Sequence, residues 1–302
     1  MREFILKVIP EDSGMRLDLY LLKFSRMQHL GLSRNFIQGL IRQKHVILEN
    51  RSLKAHYKIK AGEVFRLQIP DQQALIILPE DMHLDIRFED EDVIVVNKPA
   101  GMVVHPGAGN LRGTLVNSLF FHCGSLSSVN PQRPGIVHRL DKDTSGLIVA
   151  AKNNLSHHHL VRQFAQHSIL RQYVALVKGR VELKEDVIEL PIGRHPRQRE
   201  KMSVSFIKKH KYAKTKYRVL KRNHQLTLLE LTPFTARTHQ LRVHLSFIGH
   251  PILGDRKYGR DNKFSRMALH AYRLGFTHPR TGKFIEIKTA IPQDFVEAIS
   301  SR

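Results

Sequence analysis

The sequence predicts an α+β chain in two parts, a small basic module at the N-terminus and a larger, strand-rich domain after it. Three observations carry that prediction. Helix-period apolar spacing is followed at once by short strands within residues 14–70. A proline-punctuated, acid-rich stretch then breaks the pattern between residues 71 and 92. Beyond it, apolar segments of strand length (Val93–Val96, Leu147–Ala151, Ile169–Val177, Leu226–Leu231) alternate with helical ones.

The first part opens on a strand-like segment, Phe4 to Ile9. Gly14 precedes Leu17, Tyr20, Leu21 and Phe24, whose i, i+3, i+4, i+7 spacing makes one apolar helical face. Ser33 stands where an N-cap belongs, ahead of Ile37, Leu40 and Ile41 on a second helix. Short strands follow at Val46–Leu48 and Val64–Leu67, with turns at Glu49-Asn50 and Ala61-Gly62. Residues 14–70 hold eleven Lys/Arg against three Asp/Glu, so this module carries a basic face. Its boundaries are placed at 14–70, with a linker at 71–84 and the second domain at 85–302. Glu80, Asp81, Asp85, Glu89, Asp90, Glu91 and Asp92 crowd around Arg87 alone, and such a patch is expected to face away from a polyanion.

In the second part, Val93–Val96 reads as a buried strand leading into the Pro99–Gly101 turn, where Lys98 is a candidate to meet a phosphate. Gly113 to Phe121 reads as a helix that buries Leu115, Val116 and Leu119. The centre of the chain is Gly135-Ile136-Val137-His138-Arg139-Leu140-Asp141-Lys142-Asp143-Thr144-Ser145-Gly146, running straight into an apolar strand. Asp141 therefore sits on a loop held at both ends by core segments, a rigid mount for chemistry. Asp143 nearby raises a two-carboxylate glycosidase, but no isolated acid elsewhere stands out as a partner. His138, Asp141 and Ser145 raise a triad, yet the strand-to-helix turn of a nucleophilic serine is missing. A turn-capping aspartate with Thr144 and Ser145 bonding local backbone remains open at this point.

Asn154 to His167 reads as a surface helix, and its His157-His158-His159 point about 100° apart, so they cannot share one metal. Residues 194–222 hold twelve Lys/Arg and one acid, an excess equal to half the net charge of the chain. Val204, Phe206, Tyr212, Tyr217 and Val219 interleave with them, so a β-hairpin with a basic face is expected there, suited to tracking phosphates. After Leu226–Leu231, Leu241, Leu245 and Ile248 share one helical face that Gly249 can close. Arg237 precedes that helix N-terminus, where backbone donors attract anions.

Composition bounds the function classes. The 302 residues suit one large domain or two. A formal charge of +22 favours a polyanionic partner. No stretch approaches the ~18 apolar residues of a membrane span, and Met1-Arg2-Glu3-Phe4 lacks a signal-peptide layout. Cys123 is the single cysteine, which rules out an internal disulfide and fits a reducing, cytoplasmic setting. Gly-rich dinucleotide and P-loop fingerprints are absent from the sequence.

His138-Arg139-Leu140-Asp141-x-x-Thr144-Ser145-Gly146 resembles the signature of RluA-type RNA pseudouridine synthases. The likeness extends along nearly the whole chain, through Lys98-Pro99-x-Gly101 with His105, Arg171-x-Tyr173-x-Ala175-Leu176-Val177, Arg237-Thr238-His239-Gln240-x-Arg242-x-His244, Gly254-Asp255 and Leu269-His270-Ala271. Ala236 stands where the family has glycine, and its methyl group could crowd the turn. Arg16-Leu17-Asp18, Ser33-Arg34, Leu40-Ile41, Val46 and Gly62-Glu63 resemble the S4 RNA-binding domain. Pro191-Ile192-Gly193-Arg194-His195-Pro196 and Met202-Ser203-Val204 resemble the synthase D subgroup, which modifies large-subunit ribosomal RNA.

The resemblance implies a catalytic domain with a mixed, largely antiparallel central sheet and flanking helices, and no cofactor or metal. It implies Asp141 as nucleophile, acting on a uridine flipped from its stack, with Arg237 beside it to keep it ionised and Tyr173 against the base. Leu269 would line the uracil pocket, with Arg139 filling the vacated stack and His138 and Lys98 also at the substrate. Arg16, Arg34, Lys208, Lys209, Lys211, Lys214 and Lys216 would contact the RNA backbone. The expected partner is structured RNA, 23S ribosomal RNA first among candidates, met by a monomer with no membrane involvement. A non-catalytic ribosome-assembly factor explains the charge equally well but not the loop aspartate; a metal-dependent nuclease is the third reading.

Overall fold

A computed structural model describes the chain except residues 1, 29, 31, 33, 50, 71–76, 108–109, 207–209, 260–263 and 301–302. It divides into two compact units, Met1–Leu75 and Ile76–Arg302. The expected cap at Ser33 and the turn residue Asn50 lie outside the described residues.

The first unit comprises β1 (Arg2–Lys7), α1 (Leu17–Met27), α2 (Arg34–Arg42), β2 (Val46–Leu48), β3 (Arg51–Ser52) and β4 (Val64–Ile69). Its antiparallel sheet runs β1-β4-β2-β3, so the opening strand is part of the unit. Leu17, Leu21, Ile37, Leu40 and Ile41, the apolar faces of both helices, close over Phe65 and Leu67. Asp18 lies under this layer with no exposed side-chain surface, and Arg16, Arg34 and Gln38 all donate to its carboxylate. They outweigh burial, which alone would raise it, and hold Asp18 at about 2.

The second unit begins with β5 (Ile86–Glu89), β6 (Val93–Lys98), α3 (Leu115–Cys123), β7 (Ser145–Ala151), α4 (Asn154–Ala165) and β8 (Leu170–Lys178). It continues with β9 (Glu185–Glu189), β10 (Ile192–Arg194), β11 (Met202–Val204), β12 (Lys214–Arg222) and β13 (Leu226–Pro233). The last elements are α5 (Gln240–Phe247), β14 (Leu269–Thr277), β15 (Phe284–Lys288) and α6 (Gln293–Ser300). Eight strands follow the order β5-β6-β7-β14-β8-β13-β12-β9, and β15 pairs β14. Every pairing is antiparallel except β7 with β14, which makes the sheet mixed but largely antiparallel. Thr114 caps α3 through a capping box with Asn117. Asn117 also donates to the Leu78 carbonyl, and Ile77 and Leu84 pack on the same core, so the chain is attached to this unit before β5.

The single basic hairpin expected over 194–222 is replaced by two separate structures. β10 and β11 form a two-stranded hairpin of their own, whereas β12 lies inside the main sheet between β13 and β9. Thr215 and Tyr217 are buried on the core face, and Lys214 and Lys216 project toward Glu189 and Glu185 on β9.

β7 and β14 meet where the two halves of the sheet join. Ser145 pairs with His270 and Gly146 with Ala271. Gly146 has φ +115°, and a Cβ there would lie 2.3 Å from the Ala271 carbonyl oxygen. Glycine is thus dictated by the closeness of the two backbones. Among the described residues no helix is long and apolar enough to cross a membrane.

Candidate active site

The junction of β7 and β14 opens onto a cleft of about 350 Å³ lined by Asp141, Tyr173, Leu269 and Arg139, and by the Thr235–Arg242 segment. Asp141 stands on the loop before β7 with 22% of its side chain exposed. That loop is pinned from three sides. The His138 Nε2 accepts from the Val149 amide at 3.0 Å. The Lys98 ammonium donates to the carbonyls of Pro99, Met102 and Lys142. The Gly101 amide donates to the Lys142 carbonyl as well.

Lys98 is therefore not the phosphate contact expected from sequence. It is 1% exposed, and burial lowers its ammonium to about 8, with Asp143 and Asp141 opposing. Three carbonyls use all three of its N–H donors, leaving none for RNA. His138 is likewise engaged: its ring stacks on Phe164 at 4.6 Å, and burial followed by the Arg171 charge lowers it to about 3. A neutral imidazole is what accepting the Val149 amide requires.

The guanidinium on Asp141 belongs to Arg242, not to Arg237 as expected. Arg242 Nη1 lies 3.0 Å from Asp141 Oδ2. Its Nε and Nη2 grip both oxygens of Asp255 at 2.7 and 2.8 Å, and its plane lies over the Tyr258 ring. Arg242 is 6% exposed and would lose charge through burial, but Asp255 and Asp141 push it above its ordinary value instead. Asp255 feels the same opposition: burial raises it, and Arg242 with the amides of Lys257 and Tyr258 brings it below the usual carboxylate range.

Arg237 lines the same cleft one turn earlier, and its Nε donates to the Tyr212 carbonyl. Its turn is tied down by Gln240, whose side chain accepts from Thr235 Oγ1 and the Arg237 amide and donates to Lys214 O and Thr215 Oγ1. Ala236 is exposed and does not have positive φ, so its methyl group is accommodated where glycine was expected.

His239, with φ 57°, brings Nε2 to 3.8 Å from Asp141 Oδ2. Its Nδ1 lies 2.8 Å from the Tyr258 hydroxyl, which itself accepts from the Met202 amide. Burial, helped by Arg242 and Lys257 and opposed by Asp141, keeps this imidazole below its ordinary pKa and neutral. Arg242 Nη1 donates to Oδ2 and His239 Nε2 lies on the same side; Asp141 Oδ1 has no hydrogen-bond partner among the described residues.

Tyr173 sits at the seam of two core clusters, and Leu269, 3% exposed, lies on the neighbouring strand. Burial, reinforced by Asp141 and opposed by Arg171, raises the Tyr173 phenol, which stays protonated. Arg139 is exposed at the cleft. Among the expected backbone contacts, Arg16 and Arg34 are 43% and 46% exposed while holding Asp18. Lys211 is exposed, Lys214 and Lys216 pair with Glu189 and Glu185, and Lys208 and Lys209 lie outside the described residues. Sequence reasoning met Arg242, Asp255 and His239 only as parts of the family likeness and gave them, like Tyr258, no role. The available signal was an arginine between Leu241 and Val243 on an apolar helix, which demands a buried acid.

Comparison with known proteins identifies the family. A solved human protein, RNA pseudouridylate synthase domain containing 1, superposes with a TM-score of 0.61 at 27% identity, over 73% of this chain and 88% of that one. The sequence model for RNA pseudouridylate synthase matches residues 92–247. An uncharacterised RNA pseudouridine synthase of Bacillus subtilis is 43% identical over 100% of this chain and 98% of its own. The ribosomal large subunit pseudouridine synthase D of Nitrosomonas europaea is 41% identical over 97% and 86%, and that of Zymomonas mobilis 47% over 79% and 78%. The fold and cleft are those of an RNA-modifying isomerase. The chain belongs to the RNA pseudouridine synthase family, RluA type.

Proposed function

We propose that the chain converts uridine to pseudouridine in large-subunit ribosomal RNA, with Asp141 as the carboxylate that acts on the ribose. The observation that carries this reading is the asymmetry of Asp141: Oδ2 is held by Arg242, while Oδ1 is left for substrate in a cleft with no second acid lining it. The reaction breaks the C1′–N1 bond, turns the uracil and forms C1′–C5. The C5 proton leaves and N1 gains one, so neither water nor a redox partner is consumed.

The residues divide that work. Arg242, clamped by Asp255, fixes the carboxylate for attack at C1′. Tyr173 and Leu269 bracket the uracil without ionising. Reaching the sugar requires extruding the uridine, which costs a few kcal/mol, and exposed Arg139 takes the vacated place. Binding energy for that comes from the phosphate contacts of the basic surfaces. The N-terminal unit, read as an S4-like RNA-binding module, contributes Arg16 and Arg34, and the second unit contributes Lys208, Lys209, Lys211, Lys214 and Lys216. The pairs of Lys214 and Lys216 with β9 glutamates are exposed surface pairs, weak in water, so a phosphate can displace the glutamates.

Relatives of 41 and 47% identity named ribosomal large subunit pseudouridine synthase D favour ribosomal RNA over transfer RNA. Mapping pseudouridines in ribosomal RNA from cells with and without the gene tests this. Loss at defined large-subunit positions is expected. An unchanged ribosomal map with loss in transfer RNA would overturn the substrate assignment.

A further inference from the structure

Arg171 is an arginine without an acid. It lies on β8 at the cleft, and its buried Nε has no hydrogen-bond partner. No other side-chain bond or ion pair engages it among the described residues. What holds it is an aromatic ring: its guanidinium carbon sits 5.5 Å from the Phe164 centroid, on the ring that also stacks with His138. Of the other cleft arginines, Arg242 is held by Asp141 and Asp255, Arg237 donates from Nε to the Tyr212 carbonyl, and Arg139 is exposed. A half-buried guanidinium whose Nε is buried without a partner is costly unless a ligand supplies the anion.

Its place on the strand narrows the anion. Arg171 and Tyr173 are two residues apart on β8, hence on one face and about 6.6 Å apart along the strand. A ligand lying against Tyr173 thus presents its neighbouring groups to Arg171. The only anion that a uridine in RNA brings with it is the phosphodiester. From this juxtaposition we infer that Arg171 binds a phosphate flanking the target uridine, fixing the extruded nucleotide against Tyr173. Phe164 holds the guanidinium plane ready, which lowers the ordering cost of the contact. This rests on the reading that uridine enters the cleft.

The experiment uses the full chain and transcribed large-subunit ribosomal RNA carrying tritium at uridine C5. Tritium release by the unaltered protein confirms that the function reading stands; no release would sink that reading, separately from the Arg171 assignment. Phosphate-ethylation interference is then read at the modified uridine. Ethylation of one flanking phosphate is expected to block product with the unaltered protein, and a target uridine indifferent to ethylation on both sides overturns the proposal. That arm needs no variant to fold. In Arg171→Gln, interference at that phosphate should vanish while interference elsewhere persists, with affinity falling on the order of ten- to a hundredfold. The slope of log affinity against log salt should drop by about 0.7, and Arg171→Lys should restore it. A folded Arg171→Gln that keeps the interference and the slope assigns Arg171 a packing role only.

Discussion

Arg242 is the residue on which the site turns, because it joins Asp141, the carboxylate proposed to react, to the buried Asp255. Truncating it leaves Asp255 charged and unpaired in the core. Arg242→Met should lower stability by about 3–5 kcal/mol, read by chemical denaturation, and abolish turnover. Arg237→Ala removes one half-exposed hydrogen bond and should cost no more than about 1.5 kcal/mol. Equal losses of stability in the two variants would remove Arg242 from its central position. Lys98→Met tests the loop mount. Three carbonyls would lose their donor, so the variant should be destabilised by about 2–3 kcal/mol and turn over more slowly, while its salt slope for RNA stays unchanged. A reduced slope would restore Lys98 as a phosphate contact.

At the level of elements, the β7–β14 junction brings the Asp141 loop beside Leu269. Gly146→Ala puts a methyl group against the Ala271 backbone, where neither strand can yield without losing the pairing. A loss of about 3 kcal/mol or more is expected by denaturant titration; a change within 0.5 kcal/mol would mean the two strands are not tightly joined. Much of the first unit could be read from residue spacing, because α1 and α2 each bury one periodic apolar stripe. The Asp141 loop was legible for a different reason, as a polar insertion between apolar runs. The failures have physical causes. A basic stretch interleaved with apolar residues has the same local pattern whether it pairs with itself or joins a sheet, so β12 could not be told from a hairpin strand. Lys98 and Arg237 were misassigned because charge alone does not say which donors the fold consumes. Their partners, the Pro99, Met102 and Lys142 carbonyls and Tyr212 O, are backbone groups invisible to side-chain patterns.

Over the whole molecule, the excess of positive charge coexists with acids that the fold engages internally. The crowded acids before β6 are taken up by Arg280 on Asp92, His278 on Asp90, and Lys152 and His122 on Glu89. Asp90, Asp92 and His278 bring possible ligand atoms within 4.8 Å of one another. Arg280 already occupies both Asp92 oxygens, and His278 Nδ1 accepts from the Arg280 and Thr281 amides. In the N-terminal unit, Asp18 couples stability to pH. Its folded pKa is depressed to about 2, so its contribution is complete above the ordinary carboxylate value and is lost as pH falls through about 2. With Arg16 and Arg34 partly exposed, that contribution is at most about 2 kcal/mol. Protection factors of α1 amides in the intact chain, taken relative to intrinsic exchange at each pH, should fall between pH 4 and 2, and Asp18→Asn should remove that dependence; a persistent dependence would place its origin elsewhere.

The central claim is that one carboxylate, held on a single oxygen, performs the chemistry. Tritium release from C5-labelled ribosomal RNA tests it most directly, comparing the unaltered protein with Asp141→Asn at matched RNA occupancy. Release by the former and none by the latter, with RNA affinity preserved, is the predicted result. Release of tritium by Asp141→Asn would contradict the account.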